Sequence, residues 1–493
     1  MRTLVFALAV SAMAPVALRA QSGTVPTGAT LTLDDAITLA RRNNPVYLSQ
    51  TNSRRTADAA VRSARGALLP SADASFSSRY QQAGQQVFSG QSFSNSSATL
   101  QSGYSLGLNY RVNRATFLTP KAALATRDAV DADISGSSEQ LRATVTQQYL
   151  SVLQALARSA LQDTLVKTAQ AQLDLATAKV QVGSGTSLDI RRAEVALGQS
   201  QVALLQARNN VEIEKLRLYQ QMGVEQPENV QLVTDFPIVA PTFTLAALLD
   251  DARRQNPAIV ALRARDRSAR LNVDVAKSAY TPTLSLNTGI GGNSYQYTNS
   301  EFLVNQAQSG IQNQQAFCFQ QDSVRTAVGL PSSNCNGPNY QFTTAQADAI
   351  RRQNSQFPFS FQRSPVALTA QISLPIFDNF AREERVQTAQ VARDDAQFNV
   401  KAKDLAMTAD VTQAYRSLTT AIQTVALQEQ TALKAKEELS FAEERYKVGA
   451  STFLDVVTSR GSYEQALIDR VNAVYDYHKS FALLENAVGH PLR

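Results

Sequence analysis

An eight-residue stretch, Val182 to Asp189 (VGSGTSLD), interrupts two long helical runs and returns 266 residues later as Val448 to Asp455 (VGASTFLD). The same offset carries Tyr149 to Tyr415 and Gly223 to Gly489. One offset held over so long a span marks a tandem duplication, with the motif at the turn of a helical hairpin in each copy. Whatever the chain folds into, it must build that hairpin twice.

The copies are also in register at their starts, at a smaller offset of 212. Leu31-Thr32-Leu33 returns as Phe243-Thr244-Leu245, Asn43-Asn44-Pro45 as Gln255-Asn256-Pro257, and Pro70 as Pro282. In the first copy a helix starts near Leu31, with Thr32 or Asp34 as candidate N-caps. It stops at Pro45, which opens a second helix running to about Gly66.

After Pro70 the period becomes two. Ala72, Ala74, Phe76, Ser78 and Tyr80 alternate with polar residues, as do Tyr104, Leu106, Leu108, Tyr110 and Val112. The second copy has Leu284, Leu286, Thr288 and Ile290, then Val366, Leu368, Ala370, Ile372 and Leu374. These predict four strands, at about 71–80, 104–113, 283–290 and 365–374, each with one apolar and one polar face. Each is close to the roughly 9–11 residues that a tilted strand needs to cross a bilayer. Alternation alone fits a half-buried strand of a soluble sheet equally well.

The helices weigh against that. About Thr119–Val182 reads as one helix of roughly 64 residues, or ~96 Å, and about Asn379–Val448 repeats it. The return helices, about Ser187–Gly223 and Phe453–Gly489, are much shorter. Stacked on the Pro45–Gly66 helix, the first of them matches the long helix in length. Along it, Ile190, Leu197, Leu204, Val211 and Leu218 recur every seven residues, and Leu188, Val195, Val202 and Leu216 form a second seam. Two seams mean neighbours on both sides; an isolated antiparallel coiled coil needs one.

Residues 291–364, rich in Gln, Asn, Ser and Gly, are an insertion into the second copy and read as a loop. Both cysteines, Cys318 and Cys335, fall in it and are expected to pair in an exported protein. Export follows from Met1–Ala20, where Arg2, an apolar run to Leu18 and a small residue at Ala20 read as a signal segment. Past it no apolar run reaches 18 residues, so a transmembrane helix is not expected. The division is a signal segment at 1–20, a first repeat at 21–223, a linker at 224–242, a second repeat at 243–489 and a tail at 490–493.

Lys and Arg number 47 against 41 Asp and Glu, for a net charge of +6, too dispersed for a nucleic-acid footprint. With two histidines, His478 and His490, and no nucleophile–base arrangement, neither catalysis nor a cofactor is expected. Residues 182–186 lack the Gly-Lys-Ser/Thr ending of a phosphate loop.

Four strands cannot close a membrane barrel, because open edges leave backbone groups unsatisfied in lipid. In a membrane the chain must therefore borrow strands from copies of itself. The chain, over about Leu31–Gly489, resembles the TolC-type outer-membrane efflux proteins. The resemblance rests on Leu31-Thr32-Leu33 with Asn44-Pro45, on Leu68-Leu69-Pro70 before the first strand, and on residues 445–456 (RYKVGASTFLDV). It implies an α+β membrane protein: a homotrimer with one twelve-stranded β-barrel, continued by a tunnel of twelve helices into the periplasm. It further implies a periplasmic adaptor protein that grips the hairpin tips and bridges to an inner-membrane pump. Val182, Gly183, Thr186, Val448, Gly449 and Thr452 become candidate adaptor contacts. The plainer reading is that the glycines permit a tight turn and the threonines cap the return helices.

The resemblance also places Asp455 at a periplasmic gate, where Thr458 stands for the family's second acid and Ser451 for its basic residue. Asp189 is the equivalent in the first tip, and threefold symmetry would make each aspartate a ring of three carboxylates. First-turn acids are equally explained by the helix N-terminus. The function implied is a passive exit duct for small molecules. Alternatives are a duct for type I protein secretion and, in a different class, an exported coiled-coil scaffold.

Overall fold

A computed structural model describes residues 30–88, 91–95, 97–226, 230–233, 238 and 242–492. The proposed signal segment, most of the stretch before Leu31 and much of the linker lie outside the described residues. The first half runs β1 (Thr30–Leu31), α1 (Leu33–Asn43), α2 (Pro45–Gly66), β2 (Ser71–Gln81), β3 (Gly84–Phe88), β4 (Gln91–Asn95), β5 (Thr99–Val112), α3 (Arg114–Gln181) and α4 (Ser187–Met222). The second half runs β6 (Gln231–Leu232), α5 (Leu245–Gln255), α6 (Pro257–Lys277), β7 (Thr283–Tyr297), α7 (Glu301–Ala327), α8 (Thr344–Asn354), β8 (Gln362–Arg363), β9 (Ala367–Ser373), α9 (Ala381–Lys447) and α10 (Phe453–Val488). They divide into a sheet unit, Arg62–Pro120 with Val273–Gln387, and a helical unit made of the remainder.

In the helical unit the two halves build matching cores. Ala36, Ile37 and Ala40 of α1 pack on Val145, Tyr149 and Val152 of α3 and on Leu218 and Met222 of α4. Leu248 and Ala252 of α5 pack likewise on Met407, Val411 and Leu418 of α9 and on Phe481, Leu484 and Val488 of α10. Each Asn-Pro pair ties its own half's short helices to the end of that half's return helix. The Asn44 side chain accepts from the amides of Val46 and Tyr47, capping α2, and its Nδ2 donates to the Gln221 carbonyl, 2.8 Å away, at the end of α4. Asn256 caps α6 and donates to the Ala487 carbonyl, 3.1 Å away, at the end of α10. Gly223 and Gly489 end those return helices with φ of 70° and 97°. A Cβ on Gly223 would lie 2.5 Å from the Asn43 carbonyl oxygen, so the close approach also requires glycine. The linker contributes β6, which pairs in parallel with β1. The Tyr149 hydroxyl donates to the carbonyls of Leu31 and Val233 beside this pair, and burial pushes its pKa up to about 12.

The sheet unit holds four antiparallel strands across, in the order β2, β5, β7, then β8 and β9 end to end along β7. Register puts Ala72, Leu108, Thr288 and Leu368 in one row. Ser71, Asn109, Asn287 and Thr369 form a polar row of the other face. Several apolar-face side chains, including Phe76, Leu106, Leu108, Ile290, Leu368 and Ile372, are exposed. The fourth strand is split because the ladder continues to the amide of Ser364 and then meets Pro365, which has no N–H.

Several boundaries differ from those expected, for local reasons. β5 and β7 are longer than expected, and β9 begins at Ala367. Helix α3 begins at Arg114 rather than near Thr119, because the Asn113 side chain accepts from the Thr116 amide and starts it a turn and a half before Pro120. Helix α9 begins at Ala381, because Asn379 and Phe380 have φ of 55° and 65° and cannot be helical. The largest correction concerns residues 291–364, which are no plain loop. They finish β7 and then form α7 and α8. Glutamine is a good helix former, and the polar composition concealed this. Helix α8 opens on a capping box between Thr343 and Gln346, and α7 closes before Gly329 in the left-handed region. Cys318 of α7 is disulfide-bonded to Cys335.

Candidate functional site

The two hairpin tips are built by one pair of devices. In the first, Gly183 has φ of 75°, its amide donates to the Val180 carbonyl, and the Ser184 amide reaches back to Lys179. In the second, Gly449 has φ of 78°, its amide donates to Tyr446, and the Ala450 amide reaches Arg445. Both are Schellman terminations, which satisfy the last carbonyls of a helix and turn the chain sharply.

The next helix then starts on a threonine. The Asp189 amide donates to Thr186 Oγ1 at 3.3 Å, while the Thr186 amide donates to Asp189 Oδ2 at 3.1 Å. The Asp455 amide donates to Thr452 Oγ1 at 3.3 Å, and the Thr452 amide to Asp455 Oδ2 at 2.9 Å. Each aspartate thus closes a capping box. The amide and hydroxyl of Thr452 hold the Asp455 carboxyl below the usual carboxylate range, helped by Arg445 and opposed by slight desolvation. Thr458 Oγ1 donates to the Leu454 carbonyl at 3.0 Å, and Ser451 is an uncharged hydroxyl, so neither forms an ionic latch.

What the tips present outward is aliphatic. Val182 and Val448 are 77% and 80% exposed, and Leu188 and Leu454 are 54% and 52% exposed. Inward, the tips are unequal. Phe453 is buried where the first tip has exposed Ser187, and its ring lies 5.6 Å from that of Tyr446. Tyr446, Phe453 and Val456 form one cluster with Ala176 of α3 and Ala193 of α4, so the hairpins pack on each other.

Polar contacts reinforce this packing. Lys179 Nζ donates to the Tyr446 carbonyl at 2.7 Å and sits 3.7 Å from the centre of its ring. Two turns further back, buried Arg460 of α10 donates to Gln172 Oε1 of α3 at 2.7 Å and pairs with Glu464 at 3.2 Å. Desolvation pushes the Glu464 carboxyl up, against the pull of Arg460. Sequence reasoning singled out the turn residues and missed these connectors. The replacement of Ser187 by Phe453 within an otherwise repeated motif was the available signal. Among the described residues no cluster of His, Cys, Asp and Glu could hold a metal, and no helix is long and apolar enough to cross a membrane.

The chain is 23% identical over 455 residues to the outer membrane protein TolC of Escherichia coli (strain K12), covering 91% of this chain and 80% of that protein. It is 25% identical over 274 residues to the fusaric acid resistance protein FusA of Burkholderia cepacia, covering 53% of this chain and 50% of that one. The open-state MtrE outer membrane channel of Neisseria gonorrhoeae superposes with a TM-score of 0.67 at 18% identity, covering 96% of this chain and 95% of that channel. The sequence model of the outer membrane efflux proteins matches residues 36–224 and 343–490, which contain both tips, the Asn44-Pro45 cap and the long helices α3, α4, α9 and α10: the chain belongs to the outer membrane efflux protein family.

Proposed function

We propose that three copies of this chain close a twelve-stranded barrel in the outer membrane and continue it as a helical tunnel in the periplasm. The assembly is a passive exit duct for small molecules in a tripartite system. One observation carries the reading: a four-stranded sheet has an apolar and a polar face, and its outer strands β2 and β9 have unpaired outer edges among the described residues. In lipid such edges must be paired, and closure by copies pairs them. The apolar rows then face acyl chains and the polar rows line a bore.

The helical unit supports the same assembly. The α4 seam of Leu204, Val211 and Leu218 is buried within the chain, whereas Leu188, Val195, Val202 and Leu216 are exposed and await a neighbour. On this reading the tips, with Val182, Gly183, Thr186, Val448, Gly449 and Thr452, receive a periplasmic adaptor that couples the duct to an inner-membrane pump. Asp455 and Asp189 each become a ring of three carboxylates at the tunnel entrance. The resistance function in the name of FusA favours small molecules over secreted protein as cargo.

The test is planar-bilayer conductance of detergent-extracted protein, with its mass determined in the same preparation. Discrete cation-preferring channels from a three-chain species are expected. A water-soluble monomer without conductance would overturn the duct and favour the scaffold.

A further inference from the structure

Helices α7 and α8 follow β7 at its Tyr297 end. Ser71, Val112, Thr283 and Ser373 are the strand ends joined to α2, α3, α6 and α9, and Gln81, Thr99 and Tyr297 line up at the opposite end. The insertion leaves β7 there. Its side of the sheet can be read from the register. The odd-numbered residues of β7 belong to the polar face, and Tyr295 and Tyr297 are the last two of them. Their rings lie 5.1 Å apart, and Phe302 of α7 lies 5.6 Å from Tyr297. A cleft of about 390 Å³ between these rings is walled by Leu303 and Gln306 of α7 and by Ile350 and Gln353 of α8.

The returning segment marks the other face. The Pro358 carbonyl accepts from Ser102 Oγ, and Phe361 packs 4.9 Å from Tyr104, both on the apolar side.

The mount is rigid. The Asn354 side chain pairs with both the amide and the carbonyl of Tyr297 at 2.8 Å. Arg351 grips Glu301 at 2.8 Å across the base of the two helices. Further along, the Cys318–Cys335 disulfide closes a 17-residue separation, a restraint of about 3 kcal/mol. The Gln315 side chain donates to the Cys335 carbonyl, and Asp322 accepts from Ser332 and Ser333. A loop with no task of its own does not need this bracing.

We propose that α7 and α8, once per copy, form a size-selecting cap at the outer mouth of the bore. The inference rests on the duct reading above, because it takes the polar face as the bore face. Helix α7 carries nine carboxamides against three charged side chains, Glu301, Asp322 and Arg325. Its selection is therefore by width and hydrogen bonding, with little charge preference.

Wild-type trimers must first show channels; their absence would overturn the duct reading and the cap with it, whereas the variants below can overturn the cap alone. Given channels, replacing residues 301–354 by a short Gly-Ser linker is expected to raise single-channel conductance roughly two-fold or more. Larger polyethylene glycols should then enter from the outer side, while the ion preference stays unchanged. Unaltered conductance and polymer cut-off overturn the cap. Because the deletion could disturb assembly, the exposed residue Gln306 provides a second arm. Gln306→Lys and Gln306→Glu are expected to shift the reversal potential in opposite directions, three charges per trimer. A reversal potential that moves with neither substitution overturns the placement of α7 at the bore.

Discussion

At Asp455 one carboxylate has two uses that a careful pair of substitutions separates. It closes the capping box with Thr452, and in the proposed trimer it charges the tunnel entrance. Asp455→Asn keeps an acceptor for the Thr452 amide while removing the charge, so it is expected to weaken cation preference with little change in thermal unfolding. Asp455→Ala removes both, so ion preference and melting temperature should fall together. If the two variants match in ion preference and the wild type matches them too, Asp455 is a cap and nothing more. The sign of the pH effect follows from its lowered pKa. The cap contribution is complete above the ordinary value of 3.8 and is lost as pH falls through the lower folded value. Gly449 carries a different constraint. A Cβ there meets nothing within 4 Å, so its requirement is the positive φ alone. Gly449→Val forces a branched side chain into the left-handed region, at a cost of ~1–2 kcal/mol, whereas Asn tolerates it. Adaptor-dependent efflux should fail for Val and persist for Asn, with trimers present in both.

Among the elements, the return helix α4 shows the logic of two seams. In the isolated chain Val202 and Leu216 are exposed, so Val202→Glu with Leu216→Glu should change the stability of a monomer by no more than about 0.5 kcal/mol per site. In a trimer the same acids would be buried without partners. Mass measurement should therefore find trimers lost and monomers still folded; intact trimers would remove this seam from the interface. Heptad spacing made both seams legible in the sequence. Spacing alone did not tell which of them the chain covers itself, since that depends on where α3 lies. The Asn-Pro pairs were legible as helix boundaries, but their second bonds, to the ends of the return helices, join residues 177 and 231 apart and leave no local pattern. Asn113 and Thr343 were ordinary capping signals that a nearby proline and a polar run obscured. The connectors Lys179 and Arg460 were silent because single charged residues on long helices usually face solvent.

For the whole molecule, the two faces of the sheet predict opposite responses to charge. Leu368→Asp places a carboxylate on the face assigned to lipid and should reduce the fraction of protein retained in outer membranes after a carbonate wash. Thr369→Asp, one residue away on the polar face, should leave that fraction unchanged. Equal loss from both would mean that the sheet does not face lipid on one side. The open edges have one more consequence. In the proposed duct β2 of one copy would meet β9 of the next, a head-to-tail contact that either returns on itself after a fixed number of copies or runs on without end. The same hydrogen-bonding edges that would close a pore at three copies would make a ribbon if the curvature between neighbours were slightly wrong. In the proposed duct the exposed seam of Leu188, Val195, Val202 and Leu216 would set the angle between neighbours and so serve as the template that ends the polymer at a ring.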